Sequence, residues 1–355
     1  MSLPFLKFPC LVRREILSHF DYCDIFRLSV CSARTRKSIE NITRTPKKVR
    51  YICRDNELEI GIYHKLYCEN FYSVISIHRV EPILFYGEEM KINIGGKSIQ
   101  CGEWDDSFIC HHYKFSYSLK YINPRQGKVL QALQAHINSL WPNLPLIQFE
   151  ICFYRGFCPS LIDSKVKDII FDFDDMNTYM LESILTSHSN IESVCISKEL
   201  HGKLRARSKL MRVPSVRCNV GNQSSLTENL LENFKGNRLI LDMASNCEQT
   251  VSHLIKDWMF DAKYPNLKAL IVHLAYSARS FGDITKDLNG VKWDEYRMPT
   301  EEELDRSSII FEPRHWNSCD WHMSYDIKQK DTGKMATVNC QYKAVIFFVW
   351  DCQNQ

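Results

Sequence analysis

FPCLVRREILSHFDYCDIFRLSVCSART, residues 8–35, decides how this chain begins and what it needs beside it. Pro9 precedes Val12, Ile16, Leu17 and Phe20, which recur at helical spacing with charged residues between them. Proline suits the start of a helix, because its missing N–H has no intrahelical partner there. Asp21 interrupts the pattern, and Asp24 is expected to cap a second short helix carrying Ile25, Phe26, Leu28 and Val30. A third helical stretch runs from Ala33 to Ile42, rich in Arg and Lys, and Pro46 ends it. Such a helix trio buries little surface alone, and its apolar residues lie on more than one face. It is expected to lean on a neighbouring domain or on another protein.

The order Phe8-Pro9, Ile16-Leu17, Phe20, Asp24-Ile25, Leu28-Ser29 and Cys31-Ser32-Ala33-Arg34-Thr35 resembles the F-box, in its nematode-expanded form. The resemblance implies an F-box over residues 4–48 that inserts into a groove on the Skp-type adaptor of cullin–RING ubiquitin ligases. It points to Phe8, Pro9, Val12, Ile16, Leu17, Phe20, Ile25 and Leu28 as the adaptor-binding residues. Two positions depart from the usual pattern. Phe8 stands where Leu is commoner, and Arg13 where an apolar residue is commoner, although an Arg stem can lie along apolar surface.

Working outward, charge is unevenly placed. Residues 1–50 hold eleven Lys/Arg against four Asp/Glu, whereas the remainder holds 34 against 38. A basic start ahead of a mildly acidic body indicates that the two parts meet different partners. The fifteen cysteines include no C-x-x-C pair. The opening residues are interrupted by charge too early for a signal peptide, and no apolar run reaches the roughly 18 residues of a membrane span. The expectation is an intracellular protein, cytoplasmic or nuclear, with reduced and mostly buried cysteines.

Residues 50–125 favour strands, including a hairpin in which Gly95-Gly96 supplies the positive φ angles of a two-residue turn. From residue 126 to 275 strands and helices alternate. Strand markers at Ile147, Ile169, Ser193, Val216, Leu239 and Ala269 are spaced by 22, 24, 23, 23 and 30 residues. One strand and usually one helix per period points to a leucine-rich-repeat-like solenoid with parallel strands. A generic α/β domain is the alternative, since no Asn/Cys ladder position is present. Ser225-x-x-Glu228 and Ser245-x-x-Glu248 both fit a capping box. Residues 276–355 read as a loop followed by a second hairpin around Asp331-Thr-Gly333 and a last strand at Ala344–Trp350. Leu226–Leu274 together with this closing hairpin resembles the F-box-associated domain, which implies recruitment of a protein target. The fold expected is therefore α/β: a three-helix F-box, then a leucine-rich-repeat-like body with additional β-hairpins.

Little else reads as chemistry. Cys101, Cys110, His111 and His112, like His315, Cys319 and His322, lack the paired short spacing of a zinc site. Asp172, Asp174 and Asp175 follow a strand, where carboxylates commonly cap the next helix. No phosphate loop or nucleophile elbow occurs. The basic stretches Arg44–Arg50 and Lys203–Arg212 sit in or beside a mildly acidic body, which argues against a nucleic-acid binder, and the alternating cations of the second read as a solvated surface. The sequence thus predicts a receptor subunit of a cullin–RING ligase with a Skp-type adaptor and an unknown protein substrate as partners. It predicts no enzymatic role, cofactor or metal, and no nucleic acid or membrane partner. The alternative is a leucine-rich-repeat-like interaction module without a ubiquitin-ligase role.

Overall fold

A computed structural model describes residues 5–40, 45–54, 57–63, 72–79, 90–103, 117–121, 126–152, 163–174, 176–275, 288, 290–293, 324–341 and 344–350. The fold is mixed α/β with helices at the N-terminus, and it divides into two compact units, Met1–Lys167 and Asp168–Gln355. The division falls after residue 167, so the strand at Ile147 belongs with the N-terminal helices rather than with the later strands.

In the first unit, a 3-10 turn at Phe5–Lys7 leads into α1 (Cys10–Ser18), α2 (Tyr22–Cys31) and α3 (Ala33–Ile39). Strands β1 (Lys48–Arg54), β2 (Glu57–Tyr63), β3 (Tyr72–Arg79), β4 (Met90–Ile94), β5 (Lys97–Glu103) and β6 (Tyr117–Tyr121) follow, then α4 (Gln126–Leu140) and β7 (Ile147–Ile151). The order across the sheet is β7-β1-β2-β3-β6-β5-β4. The β7–β1 and β3–β6 pairs are parallel and the others antiparallel. Helix α4 buries Val129, Leu130, Leu133, Ile137 and Leu140, residues spaced three and four apart as one helical face requires. The β4–β5 turn is built as the sequence implies, with Gly95 and Gly96 at φ +56° and +78°. A Cβ on Gly95 would also lie 2.3 Å from the Ala132 carbonyl oxygen, so the turn rests directly on α4.

The second unit contains β8 (Asp168–Phe171), α5 (Thr178–Ser187), β9 (Ser193–Ile196), β10 (Ser215–Asn219), α6 (Ser224–Asn233), β11 (Arg238–Ala244), α7 (Glu248–Asp261) and β12 (Ala269–Leu274). Strands β8 to β12 are neighbours in chain order and all parallel. Ile169, Val194, Val216, Leu239 and Leu270 form one cross-strand row, each without solvent exposure. The markers Ser193 and Ala269 lie one residue off this row. Near-continuous apolar strands are what a sheet buried on both faces demands.

The C-terminal strands complete this unit. β13 (Val291–Lys292), β14 (Ser324–Lys328), β15 (Met335–Gln341) and β16 (Ala344–Val349) form an antiparallel run, and β16 pairs with β12. Ile240, Ala269, Ile271, Ile346 and Phe348 pack together beside Trp350. Gln329 donates to the Trp258 carbonyl at 2.8 Å, and Trp258 meets Phe347 edge-on at 5.2 Å, so the hairpin is locked onto α7.

Three caps differ from expectation. Asp21, not Asp24, caps α2 by accepting the Asp24 N–H, because the helix begins at Tyr22. Neither Ser225 nor Ser245 forms a capping box. Helix α6 begins at Ser224, which places Ser225 inside it. Met243 and Asn246 take φ +59° and +49°, so the chain is still turning at Ser245 and α7 begins only at Glu248. The third basic helix ends at Ile39 in the described residues.

Candidate functional site

The N-terminal helices expose apolar side chains that water ordinarily removes from a surface. Leu11 on α1 is 78% exposed, with Val12 at 43% and Leu6 at 41%. Phe8, Ile16, Phe20 and Leu28 are half-buried, and Pro9 is exposed at the start of α1. Two residues of the expected set lie elsewhere. Leu17 is 2% exposed and Ile25 0%, so both point into the chain's own interior. The remaining six, together with Leu6 and Leu11, are half-buried or exposed apolar residues. Leu6 and Leu11 escaped the sequence reading although both flank the Phe8-Pro9 start.

Why these residues stay outside is decided by the inner face. Helix α2 lies against β3 and β4. It buries Tyr22, Cys23, Ile25, Phe26 and Ser29. Tyr22 meets Trp141 edge-on at 5.6 Å, and Phe26 meets the His136 ring at 5.3 Å. Ser32 caps α3 by accepting the Thr35 N–H at 3.0 Å, and the two hydroxyls lie 2.7 Å apart. Arg13 reaches inward, donating to Ser38 on α3 at 2.9 Å. The Leu-Ser-x-Cys-Ser-x-Arg-Thr core is therefore structural at Ser29, Ser32 and Thr35, which fix the helices to one another and to their unit.

His136 is the polar tie in this packing. It is fully buried, and its Nδ1 receives the Gly95 N–H at 3.3 Å. The neutral ring then carries its proton on Nε2, which donates to Ser29 Oγ at 2.7 Å. Ser29 in turn donates to the Phe26 carbonyl at 2.6 Å. Every hydrogen-bonding atom of the ring is satisfied only in the uncharged state. Burial, with the Arg36 charge as a smaller contribution, holds the His136 pKa down to about 4.

This gives a pH prediction with a definite sign. An unfolded His titrates near about 6.5, so on acidification the unfolded chain takes up the proton before the folded one does. The stabilisation is complete above that value and is lost as pH falls toward 4. Between pH about 6.5 and about 5 the unit loses about 2 kcal/mol. Urea titrations across this window are expected to show that loss in the native chain and its absence in His136→Gln.

Other candidate groups have ordinary partners. Asp172 lies 4.0 Å from Lys198, and Asp174 is exposed. Cys101 lies in β5, while Cys110, His111, His112, Asp175, His315, Cys319 and His322 fall outside the described residues. Cys53, Cys195, Cys218 and Cys247 are buried thiols. Burial pushes Cys247 and the half-buried Cys340 up to about 12, far from a reactive thiolate. Among the described residues, no helix is long and apolar enough to cross a membrane.

Comparison with known proteins adds one finding. Residues 5–57 match the F-box domain family, which covers α1, α2, α3 and β1. F-box domains bind Skp-type adaptors in cullin–RING ligases. No curated protein and no solved structure matches the chain.

Proposed function

We propose that this chain is a substrate receptor of a cullin–RING ubiquitin ligase. Its N-terminal helices dock on a Skp-type adaptor, and its second unit presents a protein target. The observation that carries the reading is the exposed apolar trio Leu6, Leu11 and Val12, on a 3-10 turn that buries no residue and on α1, which buries only Leu17. Exposed apolar residues grouped on one short segment mark an interaction surface, and helix-in-groove docking is the mode they suit. The docking set is then Leu6, Phe8, Pro9, Leu11, Val12, Ile16, Phe20 and Leu28, with Leu17 and Ile25 supporting it from inside. The excess of Lys and Arg in residues 1–50 favours an acidic partner, chiefly through association rate.

The receptor needs no catalytic residue of its own. It acts by proximity, holding a target near a ubiquitin-charged enzyme. The second unit suits presentation: successive parallel strands β8 to β12, joined through helices and loops, resemble a degenerate leucine-rich-repeat-like array. The antiparallel β14–β15 hairpin closes this unit, in the stretch whose sequence resembles the F-box-associated domain.

One observation favours the alternative, an interaction module whose helices only cap their neighbour. The bond between Ser29 and His136 joins residues 107 apart and makes α2 part of its unit's core. Size-exclusion chromatography of the full chain with a purified Skp-type adaptor separates the two readings. Receptor function predicts one co-eluting complex at about 10 µM of each protein, as a sub-micromolar interface requires. Separate elution at that concentration supports the capping role instead.

A further inference from the structure

The basic stretch 203–212 is folded into a shaped cleft. Leu204, Ser208, Leu210 and Met211 are buried and pin the segment to its unit, while Lys203, Arg205, Arg207, Lys209 and Arg212 remain exposed. Together with the first turns of α5, the segment borders a cleft of about 490 Å3 whose walls include Tyr179, Glu182, Lys203, Arg205, Arg207 and Ser208.

Its charge is one-sided. Glu182 is the sole carboxylate among the described lining residues, and it is already engaged by the Ser208 hydroxyl and, at 3.3 Å, by the Lys209 N–H. Lys203, Arg205 and Arg207 make no ion pair with any described residue. Unscreened cations this close together raise the local concentration of anions, and the effect falls within a Debye length of about 8 Å at physiological salt.

Two further features give the cleft definition. Tyr179 is 82% exposed at its rim, an aromatic ring left largely uncovered by the described residues. Tyr in that setting is a common anchor for a protein ligand. Gly202 takes φ +104°, and a Cβ there would lie 2.9 Å from Thr178 Oγ1, so the basic segment meets α5 only because this residue is glycine. The His201 carbonyl accepts the Thr178 N–H at 3.0 Å, closing the same junction.

We propose that the cleft between Tyr179 and the Lys203–Arg207 segment binds an anionic stretch of a protein target, through carboxylate or phosphate groups on its side chains. This deepens the receptor reading and rests on it for the word target. A protein segment fits better than nucleic acid. The cations occupy one short loop around a cleft with room for a few side chains, whereas the body from residue 51 onward carries more Asp and Glu than Lys and Arg.

The test uses the full chain and fluorescein-labelled peptides of one Gly-Ser frame, carrying Glu, phosphoserine or Gln at the same positions, with oligo-dT as a fourth probe. Fluorescence anisotropy is expected to rise with the Glu peptide, the phosphoserine peptide or both, and not with the Gln peptide. The stronger of the two identifies the anion. Raising NaCl from about 50 to about 300 mM is expected to weaken that binding. Arg205→Glu with Arg207→Glu is expected to weaken it about tenfold or more, with Arg205→Gln and Arg207→Gln following at smaller amplitude. Tyr179→Ala is expected to weaken it without changing its salt dependence. Unchanged affinity in both Arg pairs, equal binding of the Glu and Gln peptides, no binding of any peptide, or tighter binding of oligo-dT each overturns the proposal. Adaptor co-elution is read on the same proteins. The Arg pair is expected to leave it intact, so failure of the cleft and failure of the receptor reading are told apart.

Discussion

Phe26→Ala lowers the stability of the first unit by about 3–5 kcal/mol, the range for deleting a buried aromatic ring. The side chain is 0% exposed on α2, edge-on to His136, in a unit where Ile25, Ile39 and Trp141 are also buried almost completely. Removing the ring forfeits its transfer free energy and leaves a cavity that rigid neighbours cannot fill. Against a total of about 5–15 kcal/mol for an ordinary domain, that loss is a third or more. It also removes the ring that packs against His136, the hydrogen-bond partner of Ser29. Urea unfolding read by far-UV circular dichroism measures it. Lys37→Ala, on the exposed side of α3, is expected to stay within about 0.5 kcal/mol of the native chain. A cost below about 1 kcal/mol for Phe26→Ala contradicts the packing described.

Leu11→Asp with Val12→Asp is expected to lower adaptor affinity about 100-fold or more while leaving stability within about 0.5 kcal/mol. Leu11 is 78% and Val12 43% exposed, so the folded chain loses little packing when they become charged. In a complex they would carry two carboxylates into an apolar groove, where an unpaired charge is strongly disfavoured. Leu17→Ala is the counterpart. It is buried, and its first effect is a loss of stability of about 2–5 kcal/mol. Titration calorimetry with a Skp-type adaptor, beside thermal melts of each variant, separates docking from folding. Retained affinity in the Leu11/Val12 pair moves the docking surface elsewhere.

Much of the fold was legible because its signals are local. The Gly95-Gly96 turn follows from backbone sterics, and α5 begins at Thr178 and ends at Ser187, as its apolar spacing indicates. The parallel strands follow from their near-regular spacing. What was not legible depends on residues far away. Leu17, Ile25, Leu11 and Val12 are all apolar on short helices, and no periodicity says which side meets the protein's own core. His136 and Trp141, more than 100 residues later, decide that for α2. The helix starts expected at Ser225 and Ser245 failed locally: α6 already begins at Ser224, and positive φ at Met243 and Asn246 delays α7 to Glu248. The cations of 203–212 alternate as a solvated surface does. Contacts to α5 more than 20 residues away, such as Ser208 to Glu182 and His201 to Thr178, fold them into a cleft.

Hydrogen exchange of the full chain, with and without a purified Skp-type adaptor, tests the central claim most directly. The account predicts slowed exchange across Phe5–Phe20 and around Leu28 when the adaptor is added, with residues 168–275 unchanged. Adaptor-dependent protection confined to residues 168–275, or no protection anywhere in residues 5–40, contradicts it.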